Sequence, residues 1–454
     1  MQTKSDSDVP ISGIDDLLEP FHRACKPASE FRVGTEAEKF GWLTDTREPM
    51  PFSGARGVQS VLQKLSEQFG WKPERERPDG QVIALRRGGA SITLEPAAQL
   101  ELSGAPHRSI HETRAEFDQH FAELHQVCGD QQIAWLSLGF HPFARQADLP
   151  DVPKLRYSIM QRYLPTRGPR ALDMMRRTCT VQANLDYASE ADAVRKLRVG
   201  LALQPIVTAM FANSPFYEGR RSSLLSERAD VWQHMDPDRT GLLPFAWERD
   251  MSFESYIEWA LDVPMFLVKR DDHVTANTEQ TFREFLLEGR RGDRATRADW
   301  TTHLNSLFPE VRLKNTLEMR GADAQPGALL CAVPALWKGV LYDDTALARA
   351  ESLIAPLSAE LLDKVRPDIA RLGLRVSLLE RPLRAWASEV LEIATDGLER
   401  LRVQLEDTRA ESEAVHLAGI ARLVHEGRSP ADVLSAKLRD GADFVDQIVE
   451  ATRL

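Results

Sequence analysis

The chain has 454 residues and a formal net charge of −11, with charged residues of both signs along its whole length. This acidic balance argues against a nucleic-acid-binding protein, whose surface normally carries a basic patch that supplies much of the affinity. The length is sufficient for a large core and for two or three domain-sized units, although one elaborated domain also fits.

The spacing of apolar residues predicts a succession of helices and short strands. Helices are predicted at 14–24, 57–69, 111–127, 152–163, 191–212, 252–261, 281–289 and 298–307, and the pattern is helical from 327 to the end. Strands are predicted at 31–40, 81–86, 90–94 with a continuation to 103, 133–140, 178–186, 263–269 and 311–320. Residues 213–245 are expected to form a long polar loop, and loops of this length often cover binding sites.

One stretch, residues 31–42 with the sequence FRVGTEAEKFGW, carries two glutamates on the same side of a predicted strand. Alternate side chains of a strand share a face, so Glu36 and Glu38 are expected to point in the same direction. Buried carboxylates repel each other, and a divalent cation such as Mg²⁺ would remove this repulsion because it binds oxygen ligands and often shares them with phosphates. The alternative is a solvated turn in which a glutamate pairs with the neighbouring Lys39.

Polar faces recur on four of the predicted strands, at 31–40, 91–103, 178–186 and 311–320. They supply the carboxylates Glu36, Glu38, Glu95, Glu101 and Glu318, the amides Gln182 and Asn184, and the guanidinium Arg320. If these strands are neighbours, the carboxylates line one sheet face, which requires cations such as the Mg²⁺ ions that accompany a nucleoside triphosphate. Alternatively, the strands lie on different edges and their glutamates face water.

Several familiar motifs are absent from the sequence. No Walker A, GxGxxG, HExxH or GxSxG pattern occurs, so P-loop, dinucleotide-binding, zinc-protease and serine-hydrolase interpretations lack support. The four cysteines are far apart and include no CxxC pair, which argues against a disulfide framework or a zinc finger. No secretory signal and no membrane span is predicted, and we expect a cytoplasmic protein that binds neither membranes nor nucleic acid.

Seven segments form an ordered set between about residue 31 and residue 342. They are VGTEAEKFGW, LEPAAQLELSGAP, LDMMRRTCTVQANLD, LALQPIVTAMFANSPF, DPDRTGLLPF, ALDVPMF and LEMRGAD. Together they resemble the plant-type and proteobacterial glutamate–cysteine ligase family. The helical region after Leu341 resembles this family only in general character.

The resemblance implies an α+β fold with a glutamine-synthetase-like antiparallel catalytic sheet packed by helices. It implies a catalytic domain at 1–342 and a helical C-terminal region at 343–454 packed on it. It also implies that a monomer or homodimer converts ATP, L-glutamate and L-cysteine to γ-glutamylcysteine, ADP and phosphate, the first step of glutathione biosynthesis.

The resemblance also implies roles for individual residues. Two or three Mg²⁺ ions would be held by Glu36, Glu38, Glu95, Glu101 and Glu318, with Gln182 and Asn184 beside the metals and the substrate. Arg320, Arg228 and Arg239 match positions expected to meet phosphate or carboxylate, with Arg320 stabilising the oxyanion that forms when the amine of cysteine attacks γ-glutamyl phosphate. Tyr163 is assigned to the cysteine pocket.

The chain departs from the family pattern at a few positions. Ala97 and Ala98 replace two glycines, and because alanine adopts positive φ less readily, the turn is expected to bend less sharply. No departure removes a carboxylate, so the changes leave open only the identity of the acceptor. A related ligase with another amine acceptor and a non-catalytic nucleotide-binding protein with the same fold are the alternatives.

Overall fold

The computed structural model describes residues 9–76, 79–129, 131–270, 273–404 and 411–454, and a ten-stranded sheet lies at its centre. In chain order its strands are β1 (Val33–Leu43), β2 (Glu48–Pro49), β3 (Lys72–Arg75), β4 (Val82–Arg87), β5 (Ala90–Leu94), β6 (Leu100–Ser103), β7 (Ile133–Leu136), β8 (Val181–Leu185), β9 (Val311–Leu313) and β10 (Leu317–Met319). The strands pair antiparallel throughout this sheet.

The long strand β1 organises the sheet. The strand order is β9-β10-β8-β1-β6-β5-β4-β3, so β1 lies between β8 and β6 over its first half. Its second half pairs with β7 and β2. The glutamate-bearing half of β1 is therefore in the middle of the sheet, with polar strands on both sides.

Helices surround the sheet. They are α1 (Ile14–Ala24), α2 (Val58–Phe69), α3 (Ile110–Cys128), α4 (Leu155–Tyr163), α5 (Ala171–Arg177), α6 (Glu190–Met210), α7 (Glu227–Gln233), α8 (Phe253–Leu261), α9 (Phe282–Glu288), α10 (Arg297–Leu304), α11 (Gly327–Leu330), α12 (Ala332–Leu341), α13 (Asp344–Ile354), α14 (Ala359–Leu372), α15 (Leu383–Gln404), α16 (Ala418–His425), α17 (Pro430–Lys437) and α18 (Phe444–Thr452). Among the described residues, none of these helices combines the length and apolar character needed to cross a bilayer.

The two faces of β1 differ in chemistry, as its alternating sequence predicts. Val33 and Ala37 are buried in one hydrophobic cluster with Phe117 of α3 and Leu336 of α12. The opposite face carries the glutamates. Burying apolar side chains against helices on one face stabilises the sheet, and it leaves the other face available for a site.

Most of the predicted elements are confirmed, and so is the fold class of an antiparallel sheet packed by helices. The predicted helices at 14–24 and 57–69 match α1 and α2, and the predicted hairpin at 81–94 matches β4 and β5. The predicted strand at 178–186 contains β8, and helices dominate the chain beyond 327. The proposed division of the chain at residue 342 stays a prediction.

Three predictions were wrong in detail. The segment 311–320 is a hairpin of β9 and β10 rather than one strand, because the chain reverses where Lys314 N donates to Thr316 O. The run 90–103 likewise reverses at 95–99, where Ala98 adopts a φ of 64°, so the turn is sharp despite its alanines. Residues 213–245 contain helix α7 and short strands rather than only a loop.

Candidate active site

The register of the sheet places the glutamates of β1 beside polar residues of both neighbouring strands. Glu38 is directly opposite Glu101 of β6, and Glu36 is directly opposite Gln182 of β8. Directly opposite residues of antiparallel strands share a face, with Cβ atoms about 5 Å apart. The predicted polar strands are therefore neighbours, and their carboxylates lie on one face.

A cleft of about 410 Å³ lies over this polar face. Of the residues singled out in the sequence, Glu36, Glu38, Glu95, Glu101, Gln182, Arg228, Glu318 and Arg320 line it. Residues of helices α4, α5 and α7 and of the stretch 302–308 supply the other walls. Eight of the predicted site residues are thus brought together by elements that are far apart in the sequence.

The carboxylates of the cleft are electrostatically unbalanced. Burial raises the pKa of Glu101 to about 8, and the nearby Glu36 and Glu95 contribute to the rise. Burial also raises the pKa of Glu38 well above its usual value, with Glu95 and Glu101 adding to the effect. The pKa of Glu36 is raised by burial and by Glu318. A cluster of this kind gains stability from any ligand that supplies positive charge.

This donor set fits a hard divalent cation, since Mg²⁺ prefers carboxylate oxygens and tolerates several of them. The hydrogen bonds already present leave oxygens available: Glu36 Oε1 accepts from Asn184 Nδ2 at 2.8 Å, and Glu38 Oε2 accepts from Thr180 N at 3.0 Å. Across the described ranges, no three His, Cys, Asp or Glu side chains already form a metal-ligating group. The carboxylates therefore converge on the cleft without forming a closed cage.

Glu318 differs from the other glutamates because the protein itself balances its charge. Its Oε2 accepts from Arg312 Nε at 2.6 Å, and its Oε1 accepts from Arg312 Nη2 at 2.8 Å and from Arg320 Nη1 at 2.7 Å. Lys314 Nζ lies 3.5 Å from Oε2. Arg312, Lys314 and Arg320 outweigh burial and hold the pKa of Glu318 well below its usual value. The expectation that Glu318 is a metal ligand is thus not supported, because guanidinium groups occupy both of its oxygens.

Two arginines that line the cleft, Arg228 and Arg320, contact each other. Arg228 Nη2 donates to the carbonyl oxygen of Arg320 at 2.7 Å, and Arg320 Nη1 also donates to Gln182 Oε1 at 2.9 Å. Both guanidinium groups lie 5.6 Å from the ring of Trp232. Among the described residues nothing accepts a hydrogen bond from Trp232 Nε1 or Arg228 Nε, although both atoms are buried. These donors suit an anion bound in the cleft.

Asn184 lies just behind the cleft wall. It is directly opposite Glu318 in the sheet and donates to Glu36, while its Oδ1 accepts from Thr316 Oγ1 at 3.2 Å. The amide therefore orients a carboxylate and does not itself line the cleft. Asn184 therefore lies beside the carboxylate of Glu36, where the sequence led us to expect it.

Besides Asn184, two further predicted site residues, Arg239 and Tyr163, do not line the cleft. Arg239 is fully buried, donates to Asp236 Oδ2 at 2.6 Å and to the carbonyl oxygens of Ser306 and Pro264, and lies 4.0 Å from the ring of Phe266. Its guanidinium connects loops and does not reach the cleft lining, and the assignment of Arg239 as a catalytic residue stays a prediction that this position does not support.

Tyr163 packs against Phe266, which lines the cleft, but does not line the cleft itself. Its ring packs edge-on against Phe266 at 5.7 Å, and Arg239 lies 5.9 Å from it. Burial raises the pKa of its hydroxyl. Because Tyr163 contributes to the layer behind the cleft and not to its lining, the structure does not support its assignment to the cysteine pocket.

The sequence reasoning missed several residues that line the cleft: Arg156, Tyr157, Trp232, His303 and Arg312. Arg312 has the same parity as Glu318 and could have been included with it once a reversal at 314–316 was recognised. The others come from helices α4, α7 and α10, where no periodic pattern distinguishes a cleft residue from a packed one.

Comparisons with known proteins add an independent line of evidence. A family model described as glutamate-cysteine ligase family 2 (GCS2) matches residues 32–450. The chloroplastic glutamate–cysteine ligase of Medicago truncatula is 43% identical over 422 residues, which cover 92% of this chain and 80% of the relative. The chloroplastic enzyme of Arabidopsis thaliana is 43% identical over 423 residues, which cover 92% of this chain and 78% of the relative. The similarity extends beyond residue 342, farther than the motifs had indicated.

A solved structure has the same fold. The crystal structure of glutamate–cysteine ligase (gshA) from Francisella tularensis in complex with AMP has a TM-score of 0.56 and covers 93% of this chain and 87% of that chain. Its sequence identity to this chain is 12%, so this likeness concerns the fold alone.

The names of the relatives correct one expectation. The sequence led us to expect a cytoplasmic protein, whereas the relatives from Medicago truncatula, Arabidopsis thaliana, Brassica juncea and Oryza sativa subsp. japonica are named chloroplastic. The absence of an apolar secretory signal and the wide spacing of the cysteines do not distinguish between these compartments.

Proposed function

The chain belongs to glutamate–cysteine ligase family 2, a family whose reaction forms γ-glutamylcysteine in the first step of glutathione biosynthesis, and we propose how its cleft carries out this reaction. ATP transfers its γ-phosphoryl group to the γ-carboxylate of L-glutamate, and ADP leaves. The amine of L-cysteine then attacks the acyl carbon, phosphate leaves, and the nitrogen loses a proton as the amide forms.

One observation carries the proposal. Glu36, Glu38 and Glu101 converge on the cleft although burial and nearby carboxylates raise the pKa of each of them. An arrangement that costs stability in the free protein is expected where function requires it. Phosphoryl transfer between anionic oxygens is chiefly a matter of alignment and charge neutralisation, which explains why the site concentrates both carboxylates and arginines.

We assign Glu36, Glu38, Glu95 and Glu101 as the residues that hold Mg²⁺, two or three ions in all. Bound Mg²⁺ supplies charge neutralisation to the triphosphate and fixes its orientation. Glu318 is assigned a different role, since its two oxygens hold Arg312 and Arg320. It therefore fixes the two guanidinium groups beside the acidic cluster.

Arg320 and Arg228 provide donors for the anionic parts of the substrates. Arg320 Nη1 donates to both Glu318 and Gln182, so its guanidinium is preorganised and needs little rearrangement when an oxyanion develops nearby. Arg228 is 3% exposed and has a buried Nε donor that no described residue uses. A carboxylate or phosphate oxygen is a strong acceptor for such a donor.

The test is a turnover assay with purified protein, ATP, Mg²⁺, L-glutamate and a panel of amines, in which ADP release and the peptide product are both measured. We expect ADP release that depends on cysteine and a product with the mass of γ-glutamylcysteine. Glu38→Gln is expected to abolish turnover, whereas Glu74→Gln, a change on exposed strand β3 of the same sheet, is expected to leave it unchanged. A preference for another amine would indicate a ligase with a different acceptor, and no turnover with any amine would contradict the proposal.

A further inference from the structure

Asp323 is a buried carboxylate that follows β10 and does not line the cleft. It is 1% exposed. Its Oδ2 accepts from Asn213 N and from Ser214 Oγ, both at 2.7 Å, and its Oδ1 accepts from Ser226 Oγ at 2.9 Å. A buried carboxylate without an ion-pair partner is costly, so three hydrogen bonds from one loop indicate a specific role.

The hydroxyls of Ser214 and Ser226 connect Asp323 to helix α7 by hydrogen bonds. Ser226 Oγ accepts from Ala229 N at 2.9 Å, and Ser214 Oγ accepts from Arg228 N at 3.3 Å. Each hydroxyl has a single hydrogen, which it donates to Asp323, and its lone pairs are then directed at the amides of α7. The carboxylate thereby fixes the start of the helix that carries Arg228.

The backbone around Asp323 also contacts the acidic side of the cleft. Asp323 forms an isolated bridge with Thr180, and Thr180 Oγ1 donates to Ala322 O at 2.6 Å. The amide of the same Thr180 donates to Glu38 Oε2 at 3.0 Å. On the other side, Arg228 Nη2 donates to the carbonyl oxygen of Arg320. The segment that ends in Asp323 therefore connects the proposed metal ligands with both arginines.

Gly139 packs directly against the carboxylate of Asp323. A Cβ atom on Gly139 would lie 2.3 Å from Cγ and 2.5 Å from Oδ2 of Asp323, so a larger residue at 139 would displace it. Gly139 N donates to Asn213 O at 3.0 Å, which holds the glycine against the same loop. Asp323 also acts on Arg228 through charge: burial lowers the pKa of Arg228, and Asp323 opposes this shift.

We propose that Asp323 is a positioning residue for the ligase reaction, which holds Arg228 and, through Thr180, Glu38 in the geometry that the anionic substrates require. The inference rests on the proposed function. It assigns to the aspartate of the RGAD segment a role that the sequence analysis left open. Asparagine at position 323 has nearly the same shape as aspartate, but its NH₂ group replaces one of the two acceptor oxygens. At least one of the three donors would therefore lose its acceptor.

The test compares Asp323→Asn with Asp343→Asn, a matched control. Asp343 is also buried, and its Oδ1 accepts from Ala346 N at 2.8 Å and so caps a helix, as Asp323 does indirectly through Ser226; it differs in pairing with Arg400 Nε at 2.8 Å and in lying outside the cleft. Both changes are expected to lower the free energy of unfolding. Only Asp323→Asn is expected to lower kcat/KM for glutamate per folded molecule, by about 100-fold, because small displacements of catalytic groups have effects of this size.

Two further variants disturb the same network without removing the carboxylate of Asp323. Ser214→Ala removes one donor to Asp323 and the acceptor of Arg228 N, and Gly139→Ala displaces the carboxylate without removing it. Each is expected to lower kcat/KM by about tenfold, as the loss of one buried hydrogen bond implies. Calorimetric titration with the ATP analogue AMP-PNP and Mg²⁺, with and without glutamate, gives a second readout. We expect glutamate to bind these variants more weakly than wild type. The thermal stability of each variant without ligand is measured as well, and we expect that any loss of stability does not account for the weaker binding.

The outcomes separate the two proposals. An inactive wild-type protein that still binds AMP-PNP and glutamate would contradict the proposed reaction, and the binding data would still test Asp323. Kinetics and glutamate binding within about threefold of wild type in folded Asp323→Asn would overturn the positioning role. If that variant does not fold, wild-type kinetics in both Ser214→Ala and Gly139→Ala would overturn it equally.

Discussion

Replacing Glu101 by glutamine should stabilise the metal-free protein at neutral pH although it removes a residue assigned to the site. Glu101 is 8% exposed and lies directly opposite Glu38 in the sheet. Its pKa rises from 4.5 to about 8 on folding, first because of burial and then because of Glu36 and Glu95. Glutamine has nearly the same shape and carries no charge to bury.

The sign follows from proton binding. Between the two pKa values the folded state holds a proton on Glu101 that the unfolded state has lost, so the free energy of unfolding falls as pH rises. Each pH unit costs about 1.4 kcal/mol, which amounts to about 3 kcal/mol at pH 7. Glu101→Gln removes this dependence, so its stability relative to wild type should rise by about 4 kcal/mol between pH 5 and pH 8.

The assay is urea unfolding in EDTA at both pH values, with Glu123→Gln as the control. Glu123 is also buried, but it is paired with Arg87 at 2.7 Å and with Trp71 Nε1 at 2.9 Å, so its replacement should destabilise the protein at both pH values. Added Mg²⁺ should raise the stability of wild type more than that of Glu101→Gln. A difference between Glu101→Gln and wild type that is independent of pH, or a variant less stable than wild type at pH 8, would refute the reasoning.

Three further predictions concern stability. Arg312→Met should lower the free energy of unfolding, measured in urea, by about 3–5 kcal/mol, because it leaves Glu318 buried without its bidentate partner. Adding Glu318→Gln to this variant should recover part of the loss. If the effects of the two substitutions on the free energy of unfolding were additive, this explanation would be contradicted. Ala98→Gly should raise the free energy of unfolding by up to about 1 kcal/mol in thermal unfolding, because glycine adopts the observed φ of 64° without strain, and a lower stability would argue against that turn. Burial lowers the pKa of His141 from 6.5 to about 3, so the unfolded state binds the extra proton and stability should fall by about 1.4 kcal/mol per pH unit as pH decreases below 6.5. His141→Asn should show a flatter pH dependence of unfolding over this window, and an unchanged slope would contradict the assignment.

The sequence predicted the acidic half of the site well because strand parity is a strong constraint. Glu36 and Glu38 had to share a face once 31–40 was recognised as a strand, and the register then aligned them with Gln182 and Glu101. The alternation of side chains holds only within one strand, however, and it does not predict where the chain turns back. The turn after Lys314 was therefore missed, and with it the pairing of Arg312 with Glu318.

The arginines show a different limit of sequence reasoning. Arg228 and Arg239 both lie in a stretch expected to be a loop, and a motif match alone gave them the same role. Arg228 lines the cleft on helix α7, whereas Arg239 is fully buried between loops. The difference depends on tertiary contacts with Asp236 and Phe266, which no local pattern encodes.

The turn at Ala98 illustrates how tertiary structure overrides residue preference. Alanine disfavours positive φ, yet the pairing of β5 with β6 on both sides of the turn requires the chain to reverse there. The hydrogen bonds of Glu95 N with Gln99 O and of Ala98 N with Glu95 O fix this reversal. A preference of about 1–2 kcal/mol is small beside the burial of two strands.

The most direct test of the central claim is a crystal structure of the protein with Mn²⁺ and AMP-PNP, in which anomalous scattering locates the metal ions. We predict ions bound by oxygens of Glu36, Glu38, Glu95 or Glu101, with the phosphates between them and Arg320. Ions that bind away from the cleft, or a nucleotide whose phosphates avoid these carboxylates, would contradict the account.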